Sequence, residues 1–313
     1  MLGRRRTVPD DYRAFAGLPV EHFTVGPAAE RMAVHVSGRL TGDRLPVICV
    51  PGYQRNMSDF AEFTTYFQRL MREDWPVVLV DLLGRGRSTD RIDRQAYASP
   101  NDAHALSAIA SALGIERAIW FGQGYGGQVL MALGAQRPTV IAGTVLVDAG
   151  PVTDSRGLVR LRNNLAEIAT IKGAAGLRVM LRRMLTPDYP GLADTQLDRL
   201  GERTHFSDRR GRTRALFDPH LLKLLEPFEH DDVLVPQWGL FHALDHAPML
   251  MMRTQLTQQL RRETFEEMMR RREDAAAFVI DGQGSPALMA HADDVTPIVH
   301  FVQDIAVGRG RRR

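Results

Sequence analysis

The residues best placed to do chemistry fall in one short segment, Ala118-Ile119-Trp120-Phe121-Gly122-Gln123-Gly124-Tyr125-Gly126-Gly127. An apolar run enters a glycine-rich turn and leaves as the apolar stretch Gln128 to Ala135, the pattern of a strand turning sharply into a helix. Two arrangements share this spacing. In a nucleophile elbow, Gly-x-nucleophile-x-Gly, a strained turn lifts the central side chain above a sheet, and the flanking glycines are needed because strand and helix approach too closely for side chains. Gly122 and Gly126 take the flanking places, which puts Gly124 where the nucleophile belongs, and glycine has nothing to attack with. In a dinucleotide fingerprint, Gly-x-Gly-x-x-Gly is met by Gly122, Gly124 and Gly127, with Asp148 ending the next strand-like run about 20 residues on.

Other candidate groups read more simply. His242 and His246 are spaced to share a helix face and His291 lies after the last strand-like run, but a metal wants several convergent ligands, and surface histidines with ordinary partners are expected. Cys49, the one cysteine, sits in an apolar run and reads as a small core residue. It cannot form an internal disulfide, so a reducing, cytoplasmic setting is expected. Met180, Met184 and Leu185 fit a helical core face, Arg270 to Asp274 a helix end, and Asp208 to Arg212 a loop.

These residues must be positioned by the surrounding elements. Short apolar runs recur at Pro46 to Val50, Pro76 to Asp81, Ala118 to Gly122, Gly143 to Asp148, Pro248 to Met252 and Ala277 to Asp281, the pattern of buried strands. Helical spacing falls between them, at Asp59 to Arg72, Asp102 to Leu113, Gly127 to Ala135, Arg262 to Arg272 and Asp293 to Ile305. Such alternation predicts an α/β fold, a mostly parallel twisted sheet with helices on both faces, and His22 to Val25 with Arg31 to Val36 predicts an antiparallel hairpin at its edge. Residues 151–245 break the pattern with helix-like runs and no convincing strand, which reads as a helical cap over the strand ends. The expected division is a basic segment 1–20, a core of 21–150 and 246–307, the cap 151–245, and a basic tail 308–313.

Four further motifs accompany the elbow in order. Val50-Pro51-Gly52-Tyr53-Gln54-Arg55-Asn56 follows the third strand, Asp81-Leu82-Leu83-Gly84-Arg85-Gly86-Arg87-Ser88 follows the fourth, Ala112-Leu113-Gly114-Ile115-Glu116-Arg117 leads into the elbow, and Leu146-Val147-Asp148-Ala149-Gly150-Pro151 opens the cap. In this order the chain resembles the α/β-hydrolase superfamily over nearly its whole length. The resemblance implies an oxyanion hole of backbone N–H groups on Tyr53 and Tyr125. It places the catalytic acid in Arg253-Thr254-Gln255-Leu256-Thr257-Gln258, at Gln258, and the histidine in Asp281-Gly282-Gln283-Gly284-Ser285, at Ser285. All three catalytic positions, Gly124, Gln258 and Ser285, are therefore substituted. Asp148 stands where some relatives keep an alternative acid, and with no histidine to orient it is expected to serve as a structural tie.

Three losses in separate loops indicate a lineage that stopped using the reaction. The expectation is a catalytically degenerate hydrolase-like protein that keeps a capped pocket for a small, largely apolar ligand. Two alternatives stay open: an active hydrolase of ester, lactone or similar bonds using other residues, and a dinucleotide binder. No cofactor and no metal are implied on the favoured reading. The chain of 313 residues has 44% hydrophobic and 25% charged residues, as ordinary globular proteins do. Its net charge of +3 becomes −4 once the seven arginines at 4–6, 309 and 311–313 are set aside, so no nucleic-acid partner is expected for the body. No secretion signal or membrane-spanning run is recognisable, and no oligomeric state is implied.

Overall fold

The computed structural model describes residues 8–9 and 11–308; the arginines of the two basic ends lie outside the described residues. The chain opens with β1 (Glu21–Val25) and β2 (Glu30–Ser37), then β3 (Val47–Val50), α1 (Ala61–Met71), β4 (Val77–Val80), α2 (Ser99–Ala112), β5 (Ala118–Gln123), α3 (Tyr125–Gln136) and β6 (Ile141–Val147). An insertion follows, with α4 (Ser155–Thr170), α5 (Ala174–Leu185), α6 (Asp194–Glu202), β7 (His205–Ser207), β8 (Thr213–Ala215), α7 (His220–Lys223) and α8 (Trp238–His242). The chain then returns through β9 (Met249–Thr254), α9 (Arg262–Arg271), β10 (Ala276–Ile280) and α10 (Ala292–Ala306).

Eight strands form one sheet in the order β1-β2-β4-β3-β5-β6-β9-β10, parallel from β4 to β10, with the β1–β2 hairpin antiparallel at one edge. The strands are apolar throughout because both faces are covered. In β3, Ile48 and Val50 pack with Leu106, Trp120 and Leu130 on one face, while Val47 and Cys49 pack with Phe63, Phe67 and Ile298 on the other. That alternation is the two-residue period of a pleated strand with a core on each side. The Cys49 thiol is buried, and burial pushes its pKa up, as suits a core residue.

Two expectations need correction. The insertion is not wholly helical, since β7 and β8 pair as a small antiparallel sheet, with Asp208 to Gly211 as the turn between them. Three-residue strands are too short to show a period, so the sequence hides them. The second helix begins at Ser99, before the expected Asp102, because Pro100 sits in its first turn, where a missing N–H is tolerated.

The parallel strands end at one edge, and the loops leaving it carry the residues singled out above. Backbone there is packed without room for side chains. An added Cβ at Gly126 would overlap the Val50 carbonyl oxygen and stand 2.8 Å from that of Pro51. Gly239, in α8, has open space around it. Gly126→Ala is therefore expected to lose about 3 kcal/mol in urea unfolding, as overpacking does, whereas Gly239→Ala should be neutral or gain up to about 1 kcal/mol. Equal stabilities for the two variants would contradict the close approach.

Candidate functional site

The turn from β5 into α3 places Gly124 at φ 52° and ψ −118°. A side chain held there would be strained by about 1–3 kcal/mol, and glycine escapes this. Its N–H donates to the Val147 carbonyl at 2.9 Å, and its carbonyl accepts from Gly127 at 3.0 Å, which holds the turn. Among the described residues, neither the Tyr125 amide nor the Tyr53 amide donates to a protein acceptor. Tyr53 lies in the loop after β3 and Tyr125 opens α3, both at the same strand edge, so two N–H groups there are without a protein acceptor.

A buried cage fixes this pair. The Arg85 Nε donates to the Tyr53 carbonyl at 2.8 Å, and its guanidinium carbon lies 5.6, 5.3 and 5.4 Å from the ring centres of Tyr53, Tyr97 and Tyr125. The Tyr125 hydroxyl donates to Asp102 at 2.9 Å, and Asp102 also accepts from Arg91 at 2.6 Å. The Tyr53 and Tyr125 rings meet edge to face at 5.4 Å. One buried cation thus ties the loop after β3 to the first residue of α3. Asp81 does similar work beside it, accepting from the backbone N–H groups of Met57 and Arg87, each at 2.7 Å.

Gly124, Gln258 and Ser285 all line one cavity of about 940 Å³ beneath the insertion. The group over Gly124 is nonetheless the neighbour of Gln258: the Gln259 Oε1 stands 2.6 Å from where a Cβ on Gly124 would be. Sequence spacing does not separate two consecutive glutamines in an irregular loop. The loop bearing Ser285 is held from several sides. Gly284 donates to the Asp188 carbonyl at 2.6 Å, the Tyr189 hydroxyl donates to the Pro286 carbonyl at 2.6 Å, and Gln123 Nε2 donates to the Ala287 carbonyl at 3.3 Å.

Asp148 follows β6 with φ 50°, an uncommon conformation for a residue with a side chain. Its carboxylate accepts from the Thr254 N–H at 2.8 Å and the Thr254 hydroxyl at 2.7 Å, tying the end of β6 to that of β9. Burial pushes this carboxyl up to about 6, against hydrogen bonds from Thr254 and Ser285 and the Arg253 charge, which favour the ionised form. The tie also removes the free acid that a dinucleotide ribose would need. The Val50 and Pro51 carbonyls crowd the start of α3, where a pyrophosphate would have to approach.

One imidazole in the cavity carries no sequence signal. His205, at the start of β7, lines the same space, with Nδ1 3.0 Å from the Thr204 hydroxyl and its ring edge to face with Phe217 at 5.3 Å. Burial, helped by the Arg55 charge, pushes it down to about 3, so it is neutral near neutral pH. The histidines noted from sequence lie elsewhere. His242 Nδ1 is 2.9 Å from Asp245, and both ring nitrogens of His246 are within 2.9 Å of backbone carbonyls, while His291 is exposed at the start of α10. No group of three or more His, Cys, Asp or Glu that could hold a metal ion occurs among the described residues. No described helix is long and apolar enough to cross a membrane.

Comparison with known proteins supports the fold. A family model described as the alpha/beta hydrolase family matches residues 47–297. An alpha/beta hydrolase from Novosphingobium aromaticivorans superimposes with a TM-score of 0.78 at 25% identity, covering 91% of this chain and 98% of that one. A thermophilic esterase from Thermogutta terrifontis gives 0.65 at 17% identity, covering 94% and 100%, a likeness of fold. A 3-hydroxybutyrate-oligomer hydrolase from Cupriavidus necator is 30% identical over 128 residues, 41% of this chain. The match spans 42% of that relative's own length.

The raised Asp148 pKa has a definite stability sign. Between its ordinary value of 3.8 and about 6, the folded state keeps a proton that the unfolded chain releases, so Asp148 lowers stability as pH rises through that window. The full effect is roughly 3 kcal/mol. His205, lowered from 6.5, acts oppositely in an overlapping window, so the difference between wild type and Asp148→Asn isolates the carboxyl. Urea unfolding from pH 4 to pH 7 should show wild type losing stability relative to Asp148→Asn. A difference independent of pH would contradict the assignment.

Proposed function

The chain belongs to the alpha/beta hydrolase family, and from that premise we propose that it is a catalytically degenerate member that binds a small, largely apolar acyl compound without efficient turnover. The observation that carries this reading is the elbow itself. Its apex is Gly124, which offers no attacking atom, and the Gln259 carboxamide lies over it. A hydroxyl nucleophile needs a base to take its proton, an imidazole does this near neutral pH, and a carboxylate fixes that imidazole's tautomer. At the places the resemblance gives to base and acid stand Ser285 and Gln258, neither of which can take those roles.

What persists is the binding half of the machine. The Tyr53 and Tyr125 amides suit a carbonyl oxygen. The insertion lines the cavity with Leu161, Leu165, Ile168, Leu181 and Met184, which suit an acyl chain. The likeness to a 3-hydroxybutyrate-oligomer hydrolase over 128 residues supports an acyl ligand.

A second reading, a working hydrolase with unconventional residues, draws on His205 beside the Thr204 hydroxyl. At a pKa of about 3 this imidazole is a poor base at neutral pH, which weighs against it. Turnover of p-nitrophenyl acetate, butyrate and octanoate by the purified chain tests the proposal. Any acceleration should stay at or below roughly 10³ to 10⁴ over water, the level that oxyanion donors and binding give without a triad. Gly124→Ser should add nothing, because the other two roles stay unfilled and Gln259 occupies the space. Rapid turnover by the wild type, or by Gly124→Ser alone, would overturn it.

A further inference from the structure

The hydrogen bonds around His205 define its tautomer. The Thr204 hydroxyl donates to the Gly201 carbonyl at 3.0 Å, so its oxygen can only accept from the ring nitrogen 3.0 Å away. Nδ1 therefore carries the proton, and Nε2 presents a lone pair. No hydrogen bond from a described residue reaches Nε2, and His205 lines the cavity. Phe217 fixes the ring plane, with an interplanar angle of 88°. The result is a rigid, neutral acceptor in a mostly apolar space.

Arg55 decides what kind of donor can meet it. Its stem packs over Gly52, with Cγ 3.2 Å from where a Cβ there would be, and its Nε donates to Asp59 at 2.6 Å. The guanidinium, though paired with Asp59, adds to burial in opposing protonation of His205, so a partner at Nε2 must bring its own proton. An uncharged hydroxyl does this. Arg55 also belongs to the loop that carries Tyr53, and Tyr53 and His205 line the same cavity.

We propose that His205 Nε2 accepts a hydrogen bond from a hydroxyl group on the bound acyl compound, so that the cavity prefers hydroxyacyl ligands over their deoxy counterparts. The inference rests on the reading of the cavity as an acyl-binding pocket. It assigns His205 to ligand selection and asks no proton transfer of it.

Calorimetric titration with ethyl hexanoate, ethyl 3-hydroxyhexanoate and ethyl 5-hydroxyhexanoate tests it. At least one hydroxy ester should bind about fivefold more tightly than the parent, the worth of one neutral hydrogen bond. That ratio should be the same at pH 5 and pH 8, because the imidazole stays neutral at both, and it should fall towards one in His205→Phe. Nitrogen NMR of the wild type supplies a readout independent of any variant's folding: the His205 Nε2 resonance should move with the preferred hydroxy ester and stay in place with the parent. Equal binding of all three esters, a preference that survives in His205→Phe, or an unmoved resonance would each overturn the inference. Failure of every ester to bind would instead remove the acyl-pocket reading, and this inference with it.

Discussion

At the elbow three backbone segments meet with no space between them for side chains. A Cβ at Gly122 would stand 2.6 Å from the Gly127 nitrogen, and one at Gly126 would overlap the Val50 carbonyl. The end of β5, the start of α3 and the loop after β3 are thereby locked into one geometry, and that geometry forces residue 124 to a positive φ. An active enzyme of this family must hold a nucleophile in that strained place. Here glycine occupies it, so the turn persists without the strain. The constraint is one of packing and does not depend on a nucleophile.

Around the elbow, polar groups act as ties. Arg85 joins three tyrosine rings and the Tyr53 carbonyl, Asp148 joins the ends of β6 and β9, and Tyr189 holds the loop that bears Ser285. Each is buried, so leaving any of their partners unsatisfied would cost more than the bond itself contributes. The strand edge stays ordered for this reason, and Tyr53 and Tyr125, whose amides have no protein acceptor, line the roofed cavity. On the proposed reading, these ties organise the site for recognition.

The sequence made much of this legible. Runs such as Val47–Val50 and Val77–Val80 are apolar at every position because both faces of the sheet are covered, and such runs announce central parallel strands. Glycines at 122, 124 and 126 suit an elbow, and the motifs on either side of them favoured it over a dinucleotide turn. Other features left no trace. β7 and β8 are too short to show alternation, and Pro100 disguised the start of α2. Gln259 reaches over Gly124 through an irregular loop whose register no pattern defines, and His205 enters the cavity from the insertion, where no motif marks it. These placements depend on tertiary contacts between segments far apart in the chain.

The central claim is that the cavity holds an acyl group without breaking it. A crystal structure of the protein soaked with an unactivated ester such as ethyl hexanoate addresses this most directly. The account predicts an intact ester with its carbonyl oxygen about 3 Å from the Tyr53 and Tyr125 amide nitrogens. A free acid in the cavity, or an acyl group bonded to any side chain there, would contradict it.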